Sequence, residues 1–338
     1  IDEPHRYRAV FLAPHKNIER VFGRELVDSA RTLCEVSTVG VDTSDSEAVR
    51  RSVADADVVL STWGMPVLTD DLLDQAKQLK IVIYCASSVK YFVTEGVFER
   101  GITVTSAARA NGRVVAEFTV ALMTMCLKEA WPFVRGAADT SAFFARSEAW
   151  SGIGGFSEAR VGIVGASSVG IEVLGLLSSY PCECLVYDPH VPDSEIARMG
   201  GRPAGLDAVL RESDVVSLHA PNLPSLRHMV GPTELSLLKD GAWLINTARG
   251  ALVDERALIA ELRTGRISAC LDVTDPEPPI AGSPLYSLPN VVLTPHMAGA
   301  IGTDCRRMGR LGIDELERFV DGRPPLYPIS AERLAIMG

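Results

Sequence analysis

Apolar runs of four or five residues recur along the chain, separated by amphipathic stretches, and this alternation predicts the architecture. In the N-terminal third, Arg8–Leu12, Val36–Val39, Val58–Leu60, Ile81–Tyr84 and Ile102–Thr105 read as strands. Helical patterns cover Ile18–Leu33, Asp70–Leu79 and Val93–Arg100, the second with Thr69 as its cap. A long apolar helix is predicted over Val114–Glu129. An irregular stretch, Trp131–Gly155, follows, and its Phe143, Phe144 and Trp150 are expected to pack over that helix. Six further strands are predicted at Val161–Val164, Glu183–Tyr187, Val215–Leu218, Trp243–Asn246, Ala269–Val273 and Val291–Thr294. A last helix, roughly Asp304–Phe319, is expected to return to the first domain and make it discontinuous. Strands alternating with helices imply parallel sheets covered on both faces, so the fold class is α/β.

The second set opens on R-V-G-I-V-G-A-S-S-V-G, Arg160–Gly170, a strand, a small-residue turn and a helix start. Backbone N–H groups and the positive end of a helix dipole meet there, which suits a pyrophosphate. Gly165 and Gly170 hold the outer positions of a dinucleotide fingerprint, but Ser167 stands where the middle glycine belongs. Its Cβ either holds the pyrophosphate off or its hydroxyl binds a phosphate oxygen. Asp188, at the end of the next strand, is placed to bind an adenosine ribose and to disfavour a 2′-phosphate.

A doubly wound sheet binds ligands beyond its strands' carboxyl ends. The residues predicted there are Asp188, His219-Ala220-Pro221, Thr247-Ala248-Arg249, Asp272 and Thr294-Pro295-His296. Arg249 offers a permanently charged fork suited to a carboxylate. His296 is a candidate acid/base, because imidazole is the side chain whose ordinary range suits proton transfer near neutrality. Glu277, between prolines in D-P-E-P-P, is a candidate to hold the imidazole. The first strand has no fingerprint glycines after it, so the first domain is not expected to hold a dinucleotide.

Composition narrows the function. The length of 338 residues allows two domains, and a net charge of −10 argues against non-specific nucleic-acid binding. No apolar run approaches a membrane span, and no basic-plus-apolar leader precedes the first strand, so neither a membrane nor a secreted location is expected. Seven cysteines without a second ligand pair predict reduced structural thiols and no metal site.

From about Val161 to Gly299 the chain resembles the D-isomer-specific 2-hydroxyacid dehydrogenase family. The resemblance rests on V-G-I-V-G-A-S-S-V-G, Y-D-P at Tyr187–Pro189, H-A-P at His219–Pro221 and L-I-N-T-A-R-G-A-L-V-D at Leu244–Asp254. L-D-V-T-D-P-E-P at Leu271–Pro278 and T-P-H-M-A-G at Thr294–Gly299 complete it. V-T-S at Val104–Ser106 and N-G-R-V-V-A-E at Asn111–Glu117 extend it more loosely into the first domain.

The resemblance implies two Rossmann-like doubly wound parallel-sheet domains. One is a flavodoxin-like, discontinuous substrate domain, residues 1–113 and 300–338; the other is an inserted NAD-binding domain, residues 114–299. It implies Arg249 for the substrate carboxylate and carbonyl, His296 as acid/base and Glu277 as its support, with hydride exchanged between NADH and C2 of a 2-keto acid. Cofactor contacts are implied at Gly165, Ser167, Ser168, Val169, Gly170, Asp188, Ala220, Pro221, Thr247, Ala248 and Asp272, the last facing the nicotinamide carboxamide. In the first domain, Ser87, Ser88 and Val89 are candidates for the substrate carboxylate, and Trp63 is a further pocket candidate. Lys90 stands where the family carries an acidic residue; it either meets a doubly anionic substrate or is simply solvated. A cytoplasmic homodimer is implied, with the Phe118–Leu127 segment contributing to pairing, and no regulatory module is expected after His296. Two other readings stand beside this one: an NAD-sensing, corepressor-like binding protein on the same scaffold, and a formate or phosphite dehydrogenase.

Overall fold

A computed structural model describes residues 6–131, 134 and 154–336. The expected packing of Phe143, Phe144 and Trp150 lies outside the described residues. The chain divides into two compact units. One contains the residues up to Asn111 together with those from Ala300 on; the other runs from Gly112 to Gly299.

The first unit is built on a five-stranded parallel sheet of β1 (Arg8–Phe11), β2 (Glu35–Val39), β3 (Val58–Ser61), β4 (Ile81–Tyr84) and β5 (Thr103–Ser106), in the order 2-1-3-4-5. This is the flavodoxin-like order, with its reversal between β1 and β3. β3 and β4 are buried along their whole length, as expected of strands covered on both faces. Helices α1 (His15–Val21) and α2 (Gly23–Leu33) replace the single predicted helix over Ile18–Leu33. Gly23 has φ +53°, a left-handed conformation that breaks the helix and that L side chains rarely adopt. Helix α3 (Ser46–Val53), which the periodicity did not mark, is capped by Asp45, whose carboxylate accepts from Glu47 N and Ala48 N. Helix α4 is only Asp70–Leu73; the rest of the predicted stretch folds into turns, and the Thr69 side chain makes no capping bond. α5 (Glu95–Glu99) follows β4.

The long helix α6, Ala108–Leu127, starts in the first unit and enters the second at Gly112. The second unit's sheet holds β6 (Arg160–Val164), β7 (Glu183–Tyr187), β8 (Arg202–Pro203), β9 (Val215–Leu218), β10 (Trp243–Asn246), β11 (Ser268–Leu271) and β12 (Val291–Leu293). They run parallel in the order 12-11-10-9-6-7-8. That is one strand more than the six predicted. β8 is two residues long and ends on a proline, so it gives no periodic signal and sits on the edge, where a missing N–H is tolerated.

One face of this sheet is covered by α6, α7 (Ser168–Leu177) and Ile196 of α8 (Asp193–Arg198). The other is covered by α9 (Leu206–Glu212), α10 (Pro232–Leu237) and α11 (Glu255–Arg263). Leu174, Leu177, Val209 and Leu258 are among their buried anchors, each contributing about 1.5–3 kcal/mol by leaving water.

The last long helix, α12 (Cys305–Val320), packs against α1 and α2 of the first unit. The approach is close enough that a Cβ on Gly309 would overlap the Val21 carbonyl. A short helix, α13 (Ala331–Ile336), ends the described chain. All seven cysteines are free, and all but Cys182 are buried. No helix among the described residues is long and apolar enough to cross a membrane.

Candidate active site

The order of the second sheet reverses between β6 and β9, so a ligand crevice is expected above their carboxyl ends. β6 runs into Gly165 at φ +99°, where an added Cβ would lie 2.7 Å from Ala220 N. A Cβ on Gly170 would overlap the Gly165 carbonyl oxygen. Both outer fingerprint glycines are therefore sterically required. Ser167 is the N-cap of α7, its hydroxyl accepting a long 3.5 Å bond from Gly170 N. Among the described residues no acceptor takes the N–H groups of Ser168 and Val169, so the helix opens on free donors. Asp188 is held firmly at the end of β7: Oδ2 accepts from Ala166 N at 2.7 Å and Oδ1 from His190 N at 2.8 Å. The carboxylate thus braces the glycine turn as well as closing the strand.

Three more strand ends build the acid–base corner. After β10, the buried Asn246 side chain closes the next turn, donating to Arg249 O at 2.9 Å and accepting from Ala248 N at 3.1 Å. Thr247 is tied to Thr119 of α6 by a 2.9 Å hydroxyl pair. Arg249 is largely desolvated, which lowers its pKa, while the charge of Glu277 opposes that shift. A Cβ on the following Gly250 would overlap the Thr274 carbonyl, so this turn and the loop after β11 are in contact.

That loop begins with Asp272, 2% exposed, whose carboxylate is fully engaged within the chain. Oδ1 accepts from Thr294 Oγ1 at 2.6 Å and Met297 N at 2.9 Å, and Oδ2 accepts from Ala298 N at 2.9 Å. Its backbone carbonyl also accepts from His296 N at 2.9 Å. Asp272 therefore folds the turn that carries His296, whose φ of +52° is unusual for a histidine. His296 Nδ1 lies 2.6 Å from Glu277 Oε1 on a half-exposed pair, and Nε2 has no partner among the described residues. Arg227 pairs with Asp275 at 2.8 Å and so tethers the loop that bears Glu277.

His219 differs from His296 in every respect. It is buried with neither ring nitrogen bonded among the described residues, and burial pushes its pKa down to about 3. It stays neutral beside the glycine turn, its Cβ 3.5 Å from the position of a Cβ on Gly170.

The first unit holds the other predicted loop. Ser106 donates to Ala86 O and Ser87 O at 3.1 and 2.6 Å, fixing the chain as it leaves β4. The N–H groups of Ser87, Ser88 and Val89 take no acceptor from the described residues, an arrangement that favours an anion. Lys90 is exposed, and the Tyr91 hydroxyl lies 2.8 Å from that of the buried Tyr84.

Of Arg249, Glu277, His296, Asp188 and Asp272, the residues that the sequence names, the second unit brings Arg249, Glu277, His296 and Asp272 together. Asn246, Thr119 and Arg227 are not among those named, and Thr294 is named only as a strand end, without its bond to Asp272. Asn246 carries a signal, a polar residue ending a buried strand; Thr119 and Arg227 are joined to the site only by tertiary contacts.

A family model for the NAD-binding domain of D-isomer-specific 2-hydroxyacid dehydrogenases matches residues 120–298. This chain belongs to that family. It is 34% identical over 282 residues to a glyoxylate reductase from Aeropyrum pernix, covering 79% of this chain and 82% of the relative. It is 30% identical over 302 residues to a D-3-phosphoglycerate dehydrogenase from Methanocaldococcus jannaschii, covering 87% of this chain. The chain spans only 56% of that longer relative. D-mandelate dehydrogenase from Rhodotorula graminis shares the fold, with a TM-score of 0.81 at 22% identity over 96% of this chain and 98% of that one. The family is one of NAD-dependent oxidoreductases, which supports the dehydrogenase reading over a corepressor-like or formate/phosphite one.

Proposed function

We propose that this chain interconverts a 2-keto acid and a D-2-hydroxy acid, with its second unit binding NAD and its first contributing substrate contacts. The observation that carries this reading is the 2.6 Å His296–Glu277 pair in the same corner as the desolvated Arg249. The glycine turn fits a dinucleotide: two positions exclude a Cβ, the helix behind them opens on free N–H groups, and Asp188 disfavours a 2′-phosphate. When bound, NADH supplies the hydride.

The protein's own residues do the rest. Arg249 takes the keto-acid carboxylate and polarises the carbonyl, where a planar, weakly hydrated cation in a dry setting acts strongly. Glu277 accepts from Nδ1–H of His296 and so leaves Nε2 to carry the proton that the developing alkoxide receives. In the reverse direction Nε2 takes the hydroxyl proton. The unclaimed N–H groups of Ser87, Ser88 and Val89 support a carboxylate contact in the first unit.

Seven free thiols suit a reducing compartment, which supports a cytoplasmic location, and a homodimer is carried over from the family resemblance. A panel of 2-keto acids with NADH and NADPH in parallel tests the activity; reduction of none of them sinks it. Light scattering of the purified protein tests the dimer.

A further inference from the structure

We infer that Arg20, stacked on Trp63, is a second anion-binding group, so that the preferred substrate is a 2-keto acid with another negative charge at its far end. The inference rests on the dehydrogenase reading and adds the substrate class.

The argument begins at the carboxyl edge of the first unit's sheet. β3 and β4 are adjacent, with Ser61 opposite Tyr84, and the pairing continues past both strands. Cys85 N donates to Ser61 O at 2.7 Å and Thr62 Oγ1 donates to Cys85 O at 3.1 Å. Trp63 and Ala86 are thus the next residues out from this paired edge on the two neighbouring strands, and Ala86 opens the Ser87–Val89 loop of free N–H groups. Further on, the Tyr91 hydroxyl lies near the backbone of Gly64 and Met65, so the two loops run close together there as well. A carboxylate bound at Ser87–Val89 would thus lie next to Trp63.

Trp63 is fixed in place. Asn17 Nδ2 donates to its carbonyl at 2.8 Å, and Gly64 turns the chain at φ +88° against Pro14. Over its ring sits the Arg20 guanidinium, 5.1 Å from the centroid. Contact with the aromatic face restrains the guanidinium there without using its N–H donors. Those donors are little used: Arg20 makes one long bond, 3.4 Å to Ala300 O, and no carboxylate of the described residues pairs with it. Most other arginines resolved on this unit have acidic partners, as Arg8, Arg31, Arg100 and Arg306 do. In a chain of net charge −10, an arginine left open beside a set of free N–H groups reverses the local field where a second carboxylate or a phosphate would arrive.

The test uses pairs of equal length and different end charge: oxaloacetate against 2-oxovalerate, and 2-oxoglutarate against 2-oxohexanoate. Each kcat/KM is scaled to that of glyoxylate, which is too short to reach Arg20. The wild type is expected to favour each dianion at least tenfold. Arg20→Ala should lower that preference about 20-fold or more, mostly through KM, and Arg20→Lys should fall between because it keeps the charge and loses the fork. A wild type that favours the neutral partners, or an Arg20→Ala preference within twofold of wild type, overturns the inference. If the protein binds NADH yet reduces neither glyoxylate nor any longer keto acid, the dehydrogenase reading fails. The anion site is then read by calorimetry with 2-oxoglutarate and 2-oxohexanoate, where equal affinities in the wild type overturn it and a dianion preference lost in Arg20→Ala supports it.

Discussion

The carboxyl edges of the two sheets treat their charged side chains differently. At the seven-stranded edge the charged groups are largely matched inside the chain: Asp188 to the glycine turn, Asp272 to the Thr294–Ala298 turn, Glu277 to His296, Arg227 to Asp275. At the five-stranded edge the donors are left over, three consecutive N–H groups and the open side of Arg20. A matched edge is preorganised; its geometry exists before substrate arrives and need not be assembled during reaction. An unmatched edge gains its partners from the ligand, so it is suited to choosing among ligands. The contrast accords with the proposed division, chemistry at one sheet and selection at the other.

The strongest way to break that assignment is His296→Ala. It should lower kcat about 10²–10⁴-fold, the usual worth of general acid–base catalysis, while NADH binding followed by fluorescence changes little. Turnover near wild type would return the chemistry to the five-stranded edge.

Asp272→Asn probes the matching itself. An amide places N–H donors against the N–H groups of Met297 or Ala298, so the turn carrying His296 loses a strong acceptor. We expect kcat to drop about 10–100-fold, the scale of roughly 1.5–3 kcal/mol for bonds to a charged group, with NADH affinity within threefold. A large loss of NADH affinity with kcat preserved would mean that the carboxylate acts on the cofactor directly.

Gly170→Ala tests whether the turn is as tight as it appears. Overpacking against the Gly165 carbonyl should cost about 1–3 kcal/mol, which calorimetry would read as a Tm lowered by a few degrees, and NADH binding should weaken with it. An unchanged Tm would show that the turn relaxes freely.

At neutral pH His219 should have no titration effect at all; its effect belongs to acid. Its folded pKa, about 3, lies below its ordinary 6.5, so acid protonates the unfolded chain first. Its contribution to stability is intact above pH 6.5 and is lost as pH falls from there towards 3. His219→Gln should flatten the pH dependence of denaturation over that window; an identical slope would show that the ring is not what the acid acts on.

Much of the matched edge was legible in the sequence, because each of its residues follows a short apolar strand and a parallel sheet sends every such end to one side. N-T-A-R-G, D-P-E-P and T-P-H could be read that way with no contact known. The unmatched edge was harder. Trp63 was visible as a pocket candidate, but Arg20 lies 43 positions earlier on a helix with no marker, and only the fold stacks the two. The positive φ of Gly23 looked like helix interior, and the two-residue strand Arg202–Pro203 is too short to show a period. What Asp272 binds could not be seen either, since an aspartate at a strand end looks the same whether it faces a ligand or its own backbone.

One stitch has a use outside catalysis. Ala300 N donates to Asn111 Oδ1 at 2.8 Å, so the point where the chain leaves the five-stranded unit and the point where it returns touch. To that unit, the whole of Gly112–Gly299 is a single surface loop. A bridge of two or three residues from Asn111 to Ala300 would rejoin the ends with no strand of the first sheet cut. The five-stranded unit is in this sense a cassette with one slot, into which a different second module could be spliced.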